Sequence, residues 1–250
     1  MDCQMKNKPV LMGIVNLTPD SFYAPSRVGS AGELSSRISD LLARGCSIID
    51  FGAVSTRPGA EDVPPEEEWR RLQEALQLFA GGNAPGFGIS VDTLRSGIVR
   101  KVFDLLGRPF TVNDISAGED DPDMLGTVAE LHLPYIAMHK RGNPRNMDSL
   151  TAYSGGVTCA VIEYFEEFAR KAAECGIEDW ILDPGFGFAK TVAQNWELLA
   201  NLSSFKRFGK PVLAGVADKR FTKDPQFNGG DPSLAERLAV IGGADILRIH

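Results

Sequence analysis

Eight short apolar runs rich in β-branched residues recur along this chain, separated by helical patterns, and this alternation limits the fold more than any other feature. They read "PVLMGIVNL" (9–17), "SIIDFG" (47–52), "FGISVD" (87–92), "FTVNDI" (110–115), "PYIAMH" (134–139), "DWILDP" (179–184), "PVLAGVA" (211–217) and "ADILRIH" (244–250). Between them lie segments such as "PEEEWRRLQEALQLFAG", where Trp69, Leu72, Leu76 and Phe79 recur at helical spacing behind an acidic first turn. In "GGVTCAVIEYFEEFARKAAECG", Ile162, Phe165, Phe168, Ala169 and Ala172 share one face. Strands alternating with helices at intervals of roughly 30 residues are the sequence form of right-handed βαβ units, and eight units close a (β/α)8 TIM barrel. An open doubly wound sheet is the other arrangement this pattern allows, but it usually has fewer strands, and no dinucleotide fingerprint is present. The expectation is one barrel domain over residues 1–250.

The C-terminal ends of the runs are polar: Asn16, Asp50, Asp92 with Thr93, Asn113 with Asp114, His139, Asp183, Lys219 just past the seventh run, and Arg248 with His250. A barrel gathers strand C-termini at one mouth, where barrel enzymes build their sites. Asp50 and Asp114 are the first candidates for helix caps or supporting roles. Asp183 alone could be a turn residue capping the next helix, since "ILDPGFGFAKT" supplies the proline and glycines of a tight, close-approach turn. Eight independent caps are a poor account of the whole set. The loops after runs one, two and seven are long and polar, as functional lids often are. In the second, "STRPGA" offers hydroxyls, an arginine and a Pro-Gly turn suited to phosphate or carboxylate. Arg57 alone would read as a solvated charge; beside such a mouth, anion binding is the stronger reading.

With 250 residues, 43% hydrophobic, the chain can bury a large core. A net charge of −7 and a pI near 5.1 argue against general affinity for nucleic acid or an anionic membrane. No run approaches the ~18 apolar residues of a membrane span, and the N-terminus lacks a signal-peptide cleavage site, so the expected location is cytoplasmic. Cys3, Cys46, Cys159 and Cys175 are scattered, as reduced structural thiols would be. His132, His139 and His250 lie far apart in sequence, which disfavours a His-rich metal site but leaves room for magnesium bound through oxygen and a substrate phosphate.

The segments "GIVNLTPDSF", "DFGAVSTRPGAE", "SVDT", "NDISAG", "AMHKRGNP", "LDPGFGFAKT" and "GADILRIH" together resemble the signature blocks of the dihydropteroate synthases, in family order and over essentially the whole chain. The resemblance implies a barrel that joins 6-hydroxymethyl-7,8-dihydropterin diphosphate to 4-aminobenzoate, releasing pyrophosphate and 7,8-dihydropteroate, a step of folate synthesis. It implies that Asp92, Asn113 and Asp183 hold the pterin, with Lys219 between pterin and aminobenzoate. Asn16, Arg57, Arg248 and His250 would handle the diphosphate, Asn16 through Mg2+. Thr56, Arg57, Pro58 and Phe188 would form the aminobenzoate pocket. Lys219, Arg57, Arg248 and His250 are thus the implied catalytic set. The chemistry is dissociative and needs no protein nucleophile, and the partners implied are the two small-molecule substrates and a second copy in a homodimer.

The chain departs from that pattern in places. Ala217 and Asp218 in "GVADKRF" replace a serine and an arginine, the second reversing a charge beside an anionic substrate, and Arg220 could restore it if it faces the mouth. Loop one continues as "SFYAPSRVG", and Lys140 stands where methionine is common. The sequence given stops on the eighth run, where the family continues into a final helix, so the barrel is expected to lack that helix and to expose an apolar flank. A truncated chain, an altered derivative or a covering partner would each fit. Three further readings remain open: a noncatalytic or altered pterin-binding paralogue, a pterin-dependent methyltransferase of related barrel type, and a barrel used as a scaffold.

Overall fold

A computed structural model describes residues 8–18, 31–55, 62–81, 84–143, 145–231 and 233–250. Thr56, Arg57, Pro58 and the loop-one stretch 19–30 lie outside them. Among the described residues are eight strands, β1 (Val10–Asn16), β2 (Cys46–Gly52), β3 (Gly88–Asp92), β4 (Thr111–Asp114), β5 (Tyr135–Met138), β6 (Trp180–Asp183), β7 (Leu213–Ala214) and β8 (Ile246–Ile249). Eight helices fall between them, α1 (Ala31–Ala43), α2 (Pro65–Leu76), α3 (Ser96–Leu106), α4 (Met124–Glu130), α5 (Val157–Cys175), α6 (Val192–Ala200), α7 (Pro225–Asn228) and α8 (Leu234–Ile241). Each expected run contains its strand, except that β2 begins one residue earlier, at Cys46.

The strands pair in parallel in the order β6-β5-β4-β3-β2-β1-β8-β7. The remaining seam is closed by a parallel bridge between Leu182 and Val212, with the Leu182 amide donating to Pro211 O at 2.9 Å. The sheet is therefore a (β/α)8 barrel, and the doubly wound alternative is set aside.

Side chains alternate across each strand, so every run serves two cores. Outward-facing residues meet the helices in one large cluster. There Phe165 of α5 stacks parallel to Trp180 at 6.3 Å between ring centroids, and Phe168 stacks on Tyr135 at 6.0 Å. Inward-facing Met12, Ile136, Leu213 and Ile246, with Ile48 and Ile181 packed against them, plug the barrel. Each fully buried side chain of this size contributes about 1.5–3 kcal/mol. Two residues beyond Ile48, Ile181 and Ile246, on the same inward face, stand Asp50, Asp183 and Arg248. The period of two thus sets a polar layer directly on an apolar plug.

Candidate active site

The strand register builds the site's first wall. Asn16 pairs with Gly52, Gly52 with Asp92 and Asp92 with Asn113, so these residues form one row across four adjacent strands. Gly52 keeps the row open: a Cβ there would come 3.6 Å from Asp92 Cβ and 3.9 Å from Asn16 Oδ1.

Beneath this row Asp50, wholly buried, acts as a hub. Its Oδ1 accepts from Ser90 Oγ at 2.6 Å, and its Oδ2 accepts from Asn113 Nδ2 at 3.0 Å and Arg248 Nε at 2.8 Å. Since the Asn113 amide donates its NH2 group to Asp50, its Oδ1 is left as the acceptor for a ligand. Arg248 also reaches Asp92 Oδ2 at 3.0 Å, so one guanidinium spans two carboxylates. Burial pushes the Asp92 carboxyl up to about 7; Arg248 opposes that shift, while the charges of Asp50, Glu68 and Asp114 add to it. Burial likewise raises Asp183, against the Gly185 amide and the positive charges of Lys219, Arg248 and Lys190.

The segment after β6 is a close-approach turn, as its composition predicts. Gly185 has φ +72°, and a Cβ there would lie 1.9 Å from His139 O; Gly187 has φ +82° and would meet Lys219 Cδ at 3.4 Å. No other residue type fits Gly185 without displacing backbone. The Gly185 amide donates to Asp183 Oδ1 at 2.8 Å, and the Gly187 amide to Asn195 Oδ1 at 2.7 Å. Lys219 Nζ lies 5.0 Å from the Phe188 ring centroid, a cation–π distance that places these residues together at the rim.

The structure therefore brings Asn16, Asp92, Asn113, Asp183, Phe188, Lys219 and Arg248 to the barrel mouth. His250 follows Arg248 by two on the same face, and its carbonyl accepts from Arg44 NH1 at 2.5 Å. His139 belongs elsewhere. It points outward between β5 and α5, edge-on to Tyr164 at 4.9 Å, because Met138 takes the inward position of that strand. Burial, and secondarily the charge of Lys190, lowers its imidazole to about 2. Asp114 also faces outward and has a supporting role, accepting from Tyr135 Oη at 2.6 Å and from the amides of Ser116 and Gly118.

The loop after β7 answers the question raised by Asp218. Its backbone is left-handed, φ +56°, a conformation in which aspartate is enriched and most other side chains are strained. Its exposed carboxylate lies 3.6 Å from Lys223 Nζ. Arg220 does not face the mouth; it is 83% exposed and pairs with Asp148 at 3.3 Å.

Sequence reasoning missed three supports. Lys190, inside a motif noticed for its aspartate and glycines, is buried under the β6 turn. Ser90 fixes the hub. Glu68, buried on α2, accepts from Thr93 Oγ1 at 2.5 Å and from Arg95, which donates in turn to Val63 O at 2.8 Å at the base of loop two. Glu68 carried a readable signal, since it falls on the same helical face as Leu72, Ala75 and Leu76.

Among the described residues no group of three or more His, Cys, Asp or Glu side chains could hold a metal ion. The amide oxygen of Asn16 at the end of the row suits a magnesium that keeps waters and takes its remaining ligands from a substrate phosphate.

An eight-stranded parallel barrel with acceptors and cations converging at its strand C-termini defines an enzyme of the barrel class. The chain belongs to the pterin binding enzyme family, whose profile matches residues 12–250. It is 37% identical to the dihydropteroate synthase of Synechocystis sp. over 248 residues, 96% of this chain and 84% of that protein. It is 38% identical to the folic acid synthesis protein fol1 of Pneumocystis carinii over 96% of its own length, and spans 34% of that longer protein. Among solved structures, the Yersinia pestis dihydropteroate synthase in complex with a sulfonamide drug superposes with a TM-score of 0.83 at 31% identity, covering 97% of this chain and 89% of that one. The Xanthomonas albilineans enzyme with 4-aminobenzoic acid gives 0.80 at 32% identity, covering 98% and 88%.

Proposed function

We propose that this chain is a transferase of folate biosynthesis, a dihydropteroate synthase that condenses 6-hydroxymethyl-7,8-dihydropterin diphosphate with 4-aminobenzoate. The observation that carries the reading is the acceptor set of Asp92, Asn113 Oδ1 and Asp183, with the Asn113 amide turned by Asp50 so that its oxygen is presented. A pterin ring offers its guanidine-like N–H edge to such acceptors, and an analogue lacking those donors would leave the remaining acceptor capacity of the two carboxylates unfilled.

In this reading Arg248, with Arg57 and His250, faces the diphosphate, and Lys219 lies between the two substrates. Phe188, with Thr56, Arg57 and Pro58, frames the aminobenzoate ring. Asn16 would hold Mg2+, which when bound supplies charge stabilisation to the departing pyrophosphate. The protein's own part is to bind the pterin edge, to offer cations where negative charge accumulates and to align the aromatic amine with the exocyclic carbon. No side chain need attack. The directions taken by Asp218 and Arg220, toward Lys223 and Asp148, favour an active enzyme over an altered paralogue.

A single pterin-binding domain spanning 1–250 and a cytoplasmic location accompany this reading; among the described residues no helix is long and apolar enough to cross a membrane. Self-association as a homodimer is supported by the apolar face of α8, where Ile241 is 71% exposed beside exposed Val240. The test of function is pyrophosphate release by the purified chain with magnesium and the dihydropterin diphosphate. Release that requires 4-aminobenzoate bears the proposal out, whereas pterin binding without such release would make the chain a noncatalytic pterin binder.

A further inference from the structure

The segment between β6 and α6 has little regular backbone pairing, yet its polar groups converge on side chains. Lys190, 8% exposed, donates from Nζ to Gly185 O at 2.9 Å and to Phe188 O at 3.1 Å, and the same nitrogen lies 2.9 Å from His139 Nδ1. Tyr153 Oη donates to Ala189 O at 3.0 Å, and Asn195 Nδ2 donates to Thr191 O at 2.7 Å while its Oδ1 holds the Gly187 amide. Gly185, Gly187 and Ala189 alternate through positive φ, so the segment folds back on itself. The carbonyls of Gly185 and Phe188 meet at one ammonium.

We propose that Lys190 is a positioning residue for the second substrate: by gathering the Gly185 and Phe188 carbonyls it fixes the Phe188 ring beside Lys219, and so sets the aminobenzoate pocket without touching a ligand. This rests on the synthase reading above. The geometry separates the two substrate sites. On one side of the turn Asp183 is fixed by strand β6 and the Gly185 amide, and the remaining pterin acceptors belong to β3 and β4. On the other side Phe188 hangs from the segment that Lys190 clamps. A side chain without donors at 190 would leave the Phe188 carbonyl without its ammonium partner and the Gly185 carbonyl with the Phe188 amide alone, at 3.2 Å, so the turn would have to re-form to reach other donors. The ammonium suits this place because it gives three donors from one point, which the planar fork of arginine cannot do.

The test compares wild type with Lys190→Met, which fills the same volume without donors, and Lys190→Gln, which keeps two N–H donors on a shorter stem and serves if the methionine variant fails to fold. Calorimetric titration with pterin alone is expected to give dissociation constants within about threefold of wild type for each folded variant, the remaining change coming from the positive charge that Lys190 lends Asp183. The KM for 4-aminobenzoate is expected to rise about tenfold or more in Lys190→Met and by a smaller factor in Lys190→Gln, with kcat changed by less than about threefold. A residue that merely stabilised the barrel would move pterin affinity, KM and kcat together, or none of them. Unchanged KM in a folded variant, or equal losses of pterin and aminobenzoate affinity, would overturn the assignment. A wild-type chain without aminobenzoate-dependent pyrophosphate release would instead overturn the functional reading itself.

Discussion

Replacing Asp50 by asparagine isolates the charge at the centre of the barrel from its shape. The amide can present its oxygen to Asn113 and Arg248 and its NH2 to the Ser90 hydroxyl, so packing and hydrogen-bond count are kept. What disappears is the negative charge 2.6 Å from the Arg248 guanidinium. Hydrogen bonds to charged groups contribute about 1.5–3 kcal/mol and neutral ones about 0.5–1.5, so the weakened contact to Arg248 costs roughly 1–2 kcal/mol of stability. Truncating one side of a buried pair would cost about 3–5 kcal/mol, and the variant should stay well below that range because a polar partner remains. The second consequence concerns ligand. Arg248, held at position 50 by a neutral contact only, is drawn more strongly to Asp92 and competes there with the N–H donors of a pterin, so the pterin dissociation constant should rise about tenfold, or ~1.4 kcal/mol. Urea denaturation measures the first effect and calorimetric titration with pterin the second. A stability loss with pterin affinity unchanged would refute the view that Asp50 governs the site through Arg248 and Asn113.

Other expectations follow from the same geometry. Asp92 titrates near 7 in the folded chain and near its ordinary value when unfolded, so its contribution to stability falls as pH rises through that window. A donor edge selects the ionised carboxylate, so pterin affinity should increase up to about pH 7 and then level off; a flat profile by titration from pH 5 to 8 would count against Asp92 as an acceptor. His139 is held neutral, so the unfolded chain alone gains a proton as pH falls below about 6.5; stability should decline there by up to ~1.4 kcal/mol per pH unit, and His139→Gln should lessen the slope of urea midpoints against pH. The double variant Ala217→Ser, Asp218→Arg should leave the KM for aminobenzoate within about twofold and lower stability by roughly 1 kcal/mol, since arginine must adopt the left-handed backbone of residue 218 and Lys223 loses its partner. A clear gain in affinity would show that position 218 faces the substrate after all. Gly185→Ala should cost about 3 kcal/mol or more and abolish aminobenzoate turnover, read by thermal melting and pyrophosphate release, because the added methyl meets the His139 carbonyl.

The fold was legible because alternation and spacing are properties of the chain itself: seven strands lie within the runs that periodicity marks out, and the remaining one, β2, begins one residue before its run. Which side of a strand a residue faces was less legible. Asn113 and Asp114 are neighbours of similar chemistry, yet one enters the mouth and the other ties down the β4 loop through the Ser116 and Gly118 amides. His139 is as conspicuous in sequence as Asp183 but stands one position out of phase with the interior. Counting in steps of two from the barrel plug, Ile48 to Asp50, Ile181 to Asp183, Ile246 to Arg248, would have sorted them. The supports at Lys190 and Glu68 were hidden for a different reason. Glu68 acts on Thr93 and Arg95, far away in sequence, whereas Lys190 acts on the Gly185 and Phe188 carbonyls of its own motif, where the residue types do not record the turn that folds the ammonium back on them.

The electrostatics of the mouth suggest where binding energy is stored. Asp92 and Asp183 are both raised above the ordinary carboxylate range, with burial the leading cause in each, so in the ligand-free chain neither ionised carboxylate is fully compensated by its neighbours. The apolar plug below and the aromatic belt outside supply the stability that allows this. A ligand bringing N–H donors to both carboxylates replaces lost hydration and lowers both pKa values, and Asp92, pushed up to about 7, should therefore release a proton as the ligand binds near neutral pH. Titrations in two buffers of different ionisation enthalpy would expose that release as a difference in apparent heat. Equal heats near pH 6.5 would mean that Asp92 is already ionised in the free chain, and that recognition draws on contact geometry rather than on the charge stored at the mouth.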